Sequence, residues 1–183
     1  MVTGLQIRMD RILRKGKMLC IPMDHGISSG PIEGLESPAR IISQCETKGL
    51  TSVIINKGIL KTLPKPARIG ILVHYSSSTS LSMSPNRKML SGTVEEALRL
   101  GADGVSLHIN VGGKEEPEML EQLGMTASEC HKWNMPLLAM MYPRGEKKNT
   151  WQECNNSTNK QRLHHLHHHN QVAQLEVLCQ QDD

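Results

Sequence analysis

The chain has 183 residues, 38% hydrophobic and 21% charged, with a formal net charge of +3. That length supports one domain with a real core but falls short of the about 200 to 250 residues of a complete (β/α)8 barrel. The weak, scattered positive charge points away from nucleic-acid binding, and no apolar stretch suggests a signal peptide or a membrane span.

With no Phe, two Trp and two Tyr, the core has to be filled by Ile, Leu, Val and eleven Met, the last packing adaptably. The five cysteines (Cys20, Cys45, Cys130, Cys154, Cys179) form no CxxC pair and are odd in number. They are expected to be reduced thiols in a cytoplasmic protein.

Five short apolar runs follow one another along the chain: 18–23 (MLCIPM), 52–56 (SVIIN), 69–73 (IGILV), 105–109 (VSLHI) and 136–141 (PLLAMM). Runs of this length, apolar on both faces, predict strands of a buried parallel sheet. Helical patterns lie between them. Residues 37–48 open with Ser37-Pro38, a cap and a first-turn proline, and stop at Gly49. Residues 93–100 (TVEEALRL) carry a capping-box spacing from Thr93 to Glu96 and stop at Gly101. Residues 115–133 place Met119, Leu120, Leu123, Ala127 and Cys130 at helical spacing.

Strand and helix alternating in this way mean parallel strands joined by right-handed crossovers. The pace fits the front of a (β/α)8 TIM barrel, about five of its eight strands. A doubly wound open sheet is the alternative, although no dinucleotide fingerprint follows the first strand. After Gly145 the composition changes: residues 146–183 contain neither Gly nor Pro, are rich in Asn and Gln, and carry a cluster at His164, His165, His167, His168 and His169. The expected organisation is therefore a barrel part over 1–145 and a polar tail over 146–183, disordered or weakly helical.

In such a barrel the chemistry sits at the carboxyl ends of the strands and in the loops after them. The first strand ends in Met23-Asp24-His25-Gly26-Ile27-Ser28-Ser29-Gly30-Pro31, an acid and an imidazole ahead of a flexible Gly/Ser loop. These two groups suit proton transfer, or they simply cap the loop. The second strand ends in Asn56-Lys57-Gly58, which puts a lysine where it can reach a phosphate. The third leads into a hydroxyl-rich stretch, His74-Tyr75-Ser76-Ser77-Ser78-Thr79-Ser80, suited to a sugar or to no ligand at all. His108 and Asn110 close the fourth strand and are expected to point toward the mouth. The fifth ends in Met141-Tyr142-Pro143-Arg144-Gly145. Its tyrosine can donate a proton or pack on the rim, and its arginine can hold a phosphate or a carboxylate.

Taken in order, MDHGISSGP, INKG, SSSTSLSMSPNRK, GTVEEALRLGADGVSLHINVG and LLAMMYPRG closely resemble the archaeal class I aldolase family over about residues 5–146. The resemblance implies a (β/α)8 barrel, assembled as a homo-oligomer, that works through a lysine Schiff base without a metal or other cofactor. It also implies a transaldolase that forms 2-amino-3,7-dideoxy-D-threo-hept-6-ulosonate from a 6-deoxy-5-ketofructose phosphate and aspartate semialdehyde, in aromatic amino acid biosynthesis. Asp24 matches the family's proton acceptor and Tyr142 its proton donor. His25, Gly26, Ile27, Ser28, Pro143 and Arg144 match positions lining the substrate site. A sister branch holds class I fructose-bisphosphate aldolases, whose first-strand motif usually differs.

The family's Schiff-base lysine belongs to a sixth strand resembling GADIVK, and no segment after Gly145 matches it. Lys147, Lys148 and Lys160 have no apolar strand to place them, and Lys57 stands at the wrong strand tip. The expectation is a chain truncated or frame-shifted after about residue 145, inactive alone. At most it is an interaction module that associates through its exposed sheet edge.

Overall fold

A computed structural model of the chain describes residues 4–144. The five apolar runs form five strands: β1 (Cys20–Met23), β2 (Ser52–Asn56), β3 (Gly70–His74), β6 (Gly104–Val111) and β7 (Leu137–Pro143). Two short strands, β4 (Ser76–Ser77) and β5 (Met89–Leu90), lie between β3 and β6. The five long strands pair in the order β1-β2-β3-β6-β7, and every pair is parallel. Among the described residues this is an incomplete TIM barrel, a five-stranded half-barrel in which β1 and β7 each have one neighbour.

Side-chain alternation sorts the residues to two faces. Val53, Ile55, Ile71, Val73, Val105, Leu107, Ile109 and Leu137 face outward into the larger apolar cluster. The helices α3 (Pro38–Thr47), α5 (Val94–Arg99) and α6 (Glu116–Trp133) cover that cluster with Ile42, Cys45, Val94, Ala97, Met119 and Cys130. Ile54, Leu72, Leu138 and Met140 face inward and pack with Ile12. Burial on both faces explains why β2, β3, β6 and β7 read as unbroken apolar runs rather than alternating ones.

The helix boundaries follow local chemistry. Thr93 is the N-cap of α5, its hydroxyl accepting from the Glu96 N–H at 3.1 Å. The Glu96 carboxylate does not complete the box but turns to Lys57 and Lys61. Ser37 stands at the N-cap of α3 without a side-chain capping bond, so that helix starts on Pro38, whose fixed φ and missing N–H suit a first turn. On α6, Met119, Leu123, Ala127 and Cys130 meet the core, whereas Leu120 lies off that stripe and is 42% exposed.

Three elements carry no apolar-run signal: α1 (Gly4–Ile12), α2 (Gly26–Ser29) and α4 (Lys57–Lys61). The first of these closes the amino-terminal end of the half-barrel. Ile12 enters the inner cluster, and Arg11 Nε donates to Asp103 Oδ1 at 2.6 Å. The other carboxylate oxygen of Asp103 accepts from the Ile71 N–H at 2.9 Å, so one buried acid ties α1 to β3 and to the start of β6. Gly70 permits the contact: a Cβ there would stand 2.8 Å from both Arg11 O and Ile12 Cα. Among the described residues no helix is long and apolar enough to cross a membrane, and Cys20, Cys45 and Cys130 are free thiols.

Gly70→Ala should therefore lift α1 off the sheet, at a cost of roughly 1–3 kcal/mol. Hydrogen exchange of the amides over 4–12 should become roughly 10- to 100-fold faster, with the amides of β6 and β7 much less affected. Unchanged protection over 4–12 would show that α1 does not depend on this close approach.

Candidate active site

Because all five long strands run the same way, their carboxyl ends share one mouth. Inward-facing residues there are polar, in contrast to the apolar inner positions below. Asp24 follows β1, and its backbone carbonyl accepts from Asn56 Nδ2 at the tip of β2 at 3.0 Å. His74, at the tip of β3, is 5% exposed and presents Nε2 to Asp24 Oδ2 at 3.4 Å. Its other nitrogen, Nδ1, lies 2.8 Å from Ser106 Oγ on β6. With the Ser106 hydroxyl donating to Nδ1, the remaining ring proton sits on Nε2 and faces the carboxylate. Burial lowers the pKa of His74 and the neighbouring Asp24 charge opposes that shift in part. No protein donor among the described residues hydrogen-bonds Asp24 Oδ1; His25 Nδ1 stands 3.8 Å away.

The opposite side of the mouth is built by β6 and β7. His108 stacks on Tyr142, with ring centroids 4.1 Å apart and an interplanar angle of 17°. His108 Nε2 lies 2.8 Å from Asn110 Oδ1, which also accepts from Arg144 Nε at 3.1 Å. The Arg144 guanidinium sits 5.6 Å from the centre of the Tyr142 ring. Gly112 shapes this corner: its φ is +85°, and a Cβ there would fall 2.5 Å from Arg144 O. Burial pushes the pKa of His108 down to about 4, against the Asn110 hydrogen bond and with the help of the Lys88, His74 and Arg144 charges.

The hydroxyl-rich stretch after β3 is a two-stranded arm. Ser76 pairs with Leu90 and Ser77 with Met89, antiparallel. Ser76 Oγ accepts from the His108 N–H at 2.8 Å, fixing the arm's base on β6. Farther out, Ser80 N–H donates to Ser28 O at 3.0 Å, and Asn86 O accepts from Asn110 Nδ2 at 2.7 Å. The arm thus spans the mouth from the segment after β1 to the end of β6. Tyr75, at its root, is buried and caps α5: its hydroxyl donates to Thr93 O and accepts from the Ala97 N–H at 3.0 Å.

The expected site residues are distributed as follows. Asp24 and Tyr142 stand on opposite sides of the same mouth, with His74 and His108 between them. Gly26 and Ile27 line a cavity of about 510 Å³ with Asn56, Lys57 and His74. His25 starts α2 with its side chain half exposed, and the expected flexible loop is in fact this single helical turn. Ser28 offers its carbonyl to the arm, and Pro143 pairs with Val111 at the end of β7. Lys57, expected to reach a phosphate, is instead paired with Glu96 at 2.9 Å. The residues that strand-end reading did not single out are Ser106 and Lys88. The first hides in an apolar strand, and the second depends on an arm whose two strands are too short to leave a pattern. Among the described residues no cluster of three or more His, Cys, Asp or Glu is arranged to hold a metal ion. Gly145, Lys147, Lys148, Lys160 and the His cluster lie outside the described residues.

A parallel half-barrel with an acid, two shielded imidazoles, a tyrosine and an arginine at its strand ends has the layout of the front part of a (β/α)8 enzyme barrel. The family model described as DeoC/LacD family aldolase matches residues 18–166, and the chain belongs to that family. It is similar to 2-amino-3,7-dideoxy-D-threo-hept-6-ulosonate synthase 1 of Archaeoglobus fulgidus, 42% identical over 144 residues, or 78% of this chain and 55% of that protein. It is also similar to 2-amino-4,5-dihydroxy-6-oxo-7-(phosphonooxy)heptanoate synthase of Streptomyces griseus, 36% identical over 72% of this chain and 48% of that one. The chain thus spans about half the length of these curated relatives. Among solved structures, a Schiff-base-forming fructose-1,6-bisphosphate aldolase superposes with a TM-score of 0.71 at 25% identity, covering 79% of this chain and 60% of that one.

His108 should stay neutral until the pH falls to about 4, whereas an imidazole in the unfolded chain takes up its proton near the ordinary value of 6.5. A lowered imidazole pKa makes the unfolded state the better proton binder between those two values. The contribution of His108 to stability is therefore full above about 6.5 and lost progressively as the pH falls to about 4. Ring carbon shifts in an NMR titration check this; a His108 midpoint near 6.5 would contradict the buried, stacked placement.

Proposed function

We propose that this chain forms the acid–base half of a Schiff-base transaldolase site that makes a 2-amino-hept-6-ulosonate from a ketose phosphate and aspartate semialdehyde. The observation that carries this reading is the convergence of Asp24 and Tyr142 on one mouth, from strands at opposite edges of the half-barrel. Identity favours the synthases over the fructose-bisphosphate aldolases, at 42% against 25%.

In such a reaction a lysine amine condenses with the ketone, releasing water, and the resulting iminium withdraws electrons as the neighbouring C–C bond breaks. Asp24 takes the proton from the hydroxyl whose carbon becomes the departing aldehyde. Its Oδ1 is buried and has no protein donor among the described residues, so its hydrogen-bonding capacity is unspent. His74 faces Oδ2 with Nε2 as a neutral Nε2–H tautomer. When the enamine carbon then attacks the new aldehyde, Tyr142 donates the proton that the aldehyde oxygen acquires. His108 stacks on Tyr142 as an uncharged ring, so it orients the phenol without competing as an acid. Gly26, Ile27, His25, Ser28, Pro143 and Arg144 border the substrate. The lysine, by resemblance, comes from a sixth strand, and we propose that this chain alone forms no adduct.

In a chain that carries the sixth strand, Asp24→Asn and Tyr142→Phe should each lower kcat by on the order of 10²- to 10⁴-fold while KM changes little. The 183-residue chain should yield no lysine adduct after borohydride reduction with a ketose phosphate. Near-normal turnover in both variants would remove the acid–base assignment. A single modified lysine in this chain would overturn its inactivity, and equal absence of turnover with and without the sixth strand would favour an interaction module.

A further inference from the structure

The cations around the mouth differ in what neutralises them. Lys57 and Lys61 both reach Glu96, at 2.9 and 3.3 Å, and Arg87 pairs with Glu118 at 2.9 Å. Lys88 and Arg144 have no ion pair with an acidic side chain among the described residues. Both are nevertheless held firmly. Lys88 Nζ donates to Ser78 Oγ at 2.6 Å, and that hydroxyl passes its own proton to Pro85 O at 2.8 Å. Two residues earlier, Asn86 O is bonded by Asn110 Nδ2, and the oxygen of the same Asn110 amide accepts from Arg144 Nε. One amide therefore ties the arm that carries Lys88 to the segment that carries Arg144.

Partial burial weakens the protonated form of Lys88; Arg144 adds to that effect and Asp24 opposes it. A partly buried ammonium with a hydroxyl rather than a carboxylate as its partner is under-compensated. An anion placed between it and a guanidinium supplies what is missing, through charge-assisted hydrogen bonds from both.

We propose that Lys88, carried across the mouth by the β4–β5 arm, is a substrate-positioning residue that works with Arg144 to hold the anionic end of the substrate. This deepens the transaldolase reading and rests on it for the identity of the ligand. A ketose phosphate brings a phosphate, and aspartate semialdehyde brings a carboxylate. Either places an oxyanion between the two cations and leaves the ketone or aldehyde directed toward Asp24 and Tyr142.

Binding to the full chain tests the proposal without requiring turnover. Two probes separate the two sources of charge: glycerol phosphate has the phosphate alone, and 2-aminobutyrate has the amino-acid carboxylate alone. Their affinities are read by calorimetry or by shifts of the His108 ring. At least one probe should bind, and Lys88→Met should weaken it by on the order of 10-fold or more. Lys88→Arg should restore most of the loss, and Lys132→Met, at the far end of α6, should weaken it less than twofold, since it removes the same net charge remotely. If the methionine variant disturbs the arm, Lys88→Gln against Lys88→Arg carries the same comparison. Whichever probe responds identifies the anion. Binding of neither probe, or equal losses in Lys88→Met and Lys132→Met, overturns the proposal. Failure of the transaldolase reading is seen separately, as absence of turnover in the chain carrying the sixth strand, and leaves a Lys88-dependent affinity standing.

Discussion

Three residue pairs join β3 to β6, from Leu72 beside Gly104 to His74 beside Ser106, and the two halves of the site meet across them. Asp24 and His74 belong to the β1-β2-β3 side; His108, Tyr142 and Arg144 belong to the β6-β7 side. The two strands are separated in sequence by the arm and α5, so their pairing is a long-range closure. Polar contacts reinforce it along its length. Asp103 exchanges backbone and side-chain bonds with Ile71 at the start, Tyr75 N–H donates to Ser106 O in the middle, and Ser76 bonds to His108 at the mouth. Gly104 sits tightly at the start of this seam, since a Cβ there would lie 3.4 Å from Leu72 Cγ across it and 3.3 Å from Ile12 Cδ1.

The seam also sets the electrostatics. Below it the inner face is apolar, with Ile12 plugging the space between Ile54, Leu72 and Leu138. Above it the same alternation places imidazoles, amides and a carboxylate side by side. The two histidines are buried enough that both have lowered pKa values, so near neutrality they act as dipoles and spacers rather than as cations. Lys57, Lys61 and Arg87 are matched by Glu96 and Glu118, and Lys88 and Arg144 have no acidic partner among the described residues. On the proposed reading, an acid on one side and a tyrosine on the other, with the cations above, suit a carbonyl substrate with an anionic end.

Much of this was legible from residue order. β2, β3, β6 and β7 are buried on both faces along most of their length, and each left an apolar run that the sequence displays directly; β1, at the edge, carries such a run with Ile21 and Pro22 exposed. Helices α3, α5 and α6 announced themselves through caps and a buried stripe, and the misplacement of Leu120 reflects a stripe that runs 119, 123, 127 and 130 rather than through its neighbour. Asp24, Tyr142 and Arg144 were visible because strand ends are where such a barrel keeps its chemistry. What stayed hidden depends on distant partners. α1 is defined by Gly70 and Asp103, not by its own weak periodicity. The arm has two-residue strands whose pairing is a tertiary event, and with it went Lys88. Lys57 looked available until α5 brought Glu96 beside it.

The β3–β6 seam is the point at which the account is most exposed to a direct measurement. Through-space NMR contacts on the isotope-labelled chain should connect the His74 ring to Ser106 and the His108 ring to Tyr142, with slowly exchanging amides at Asp103 and Tyr75, whose bonds to Ile71 and Ser106 lie along the seam. Contacts within β1-β2-β3 and within β6-β7 but none between the two groups would contradict it, because Asp24 and Tyr142 would then have no common mouth to share.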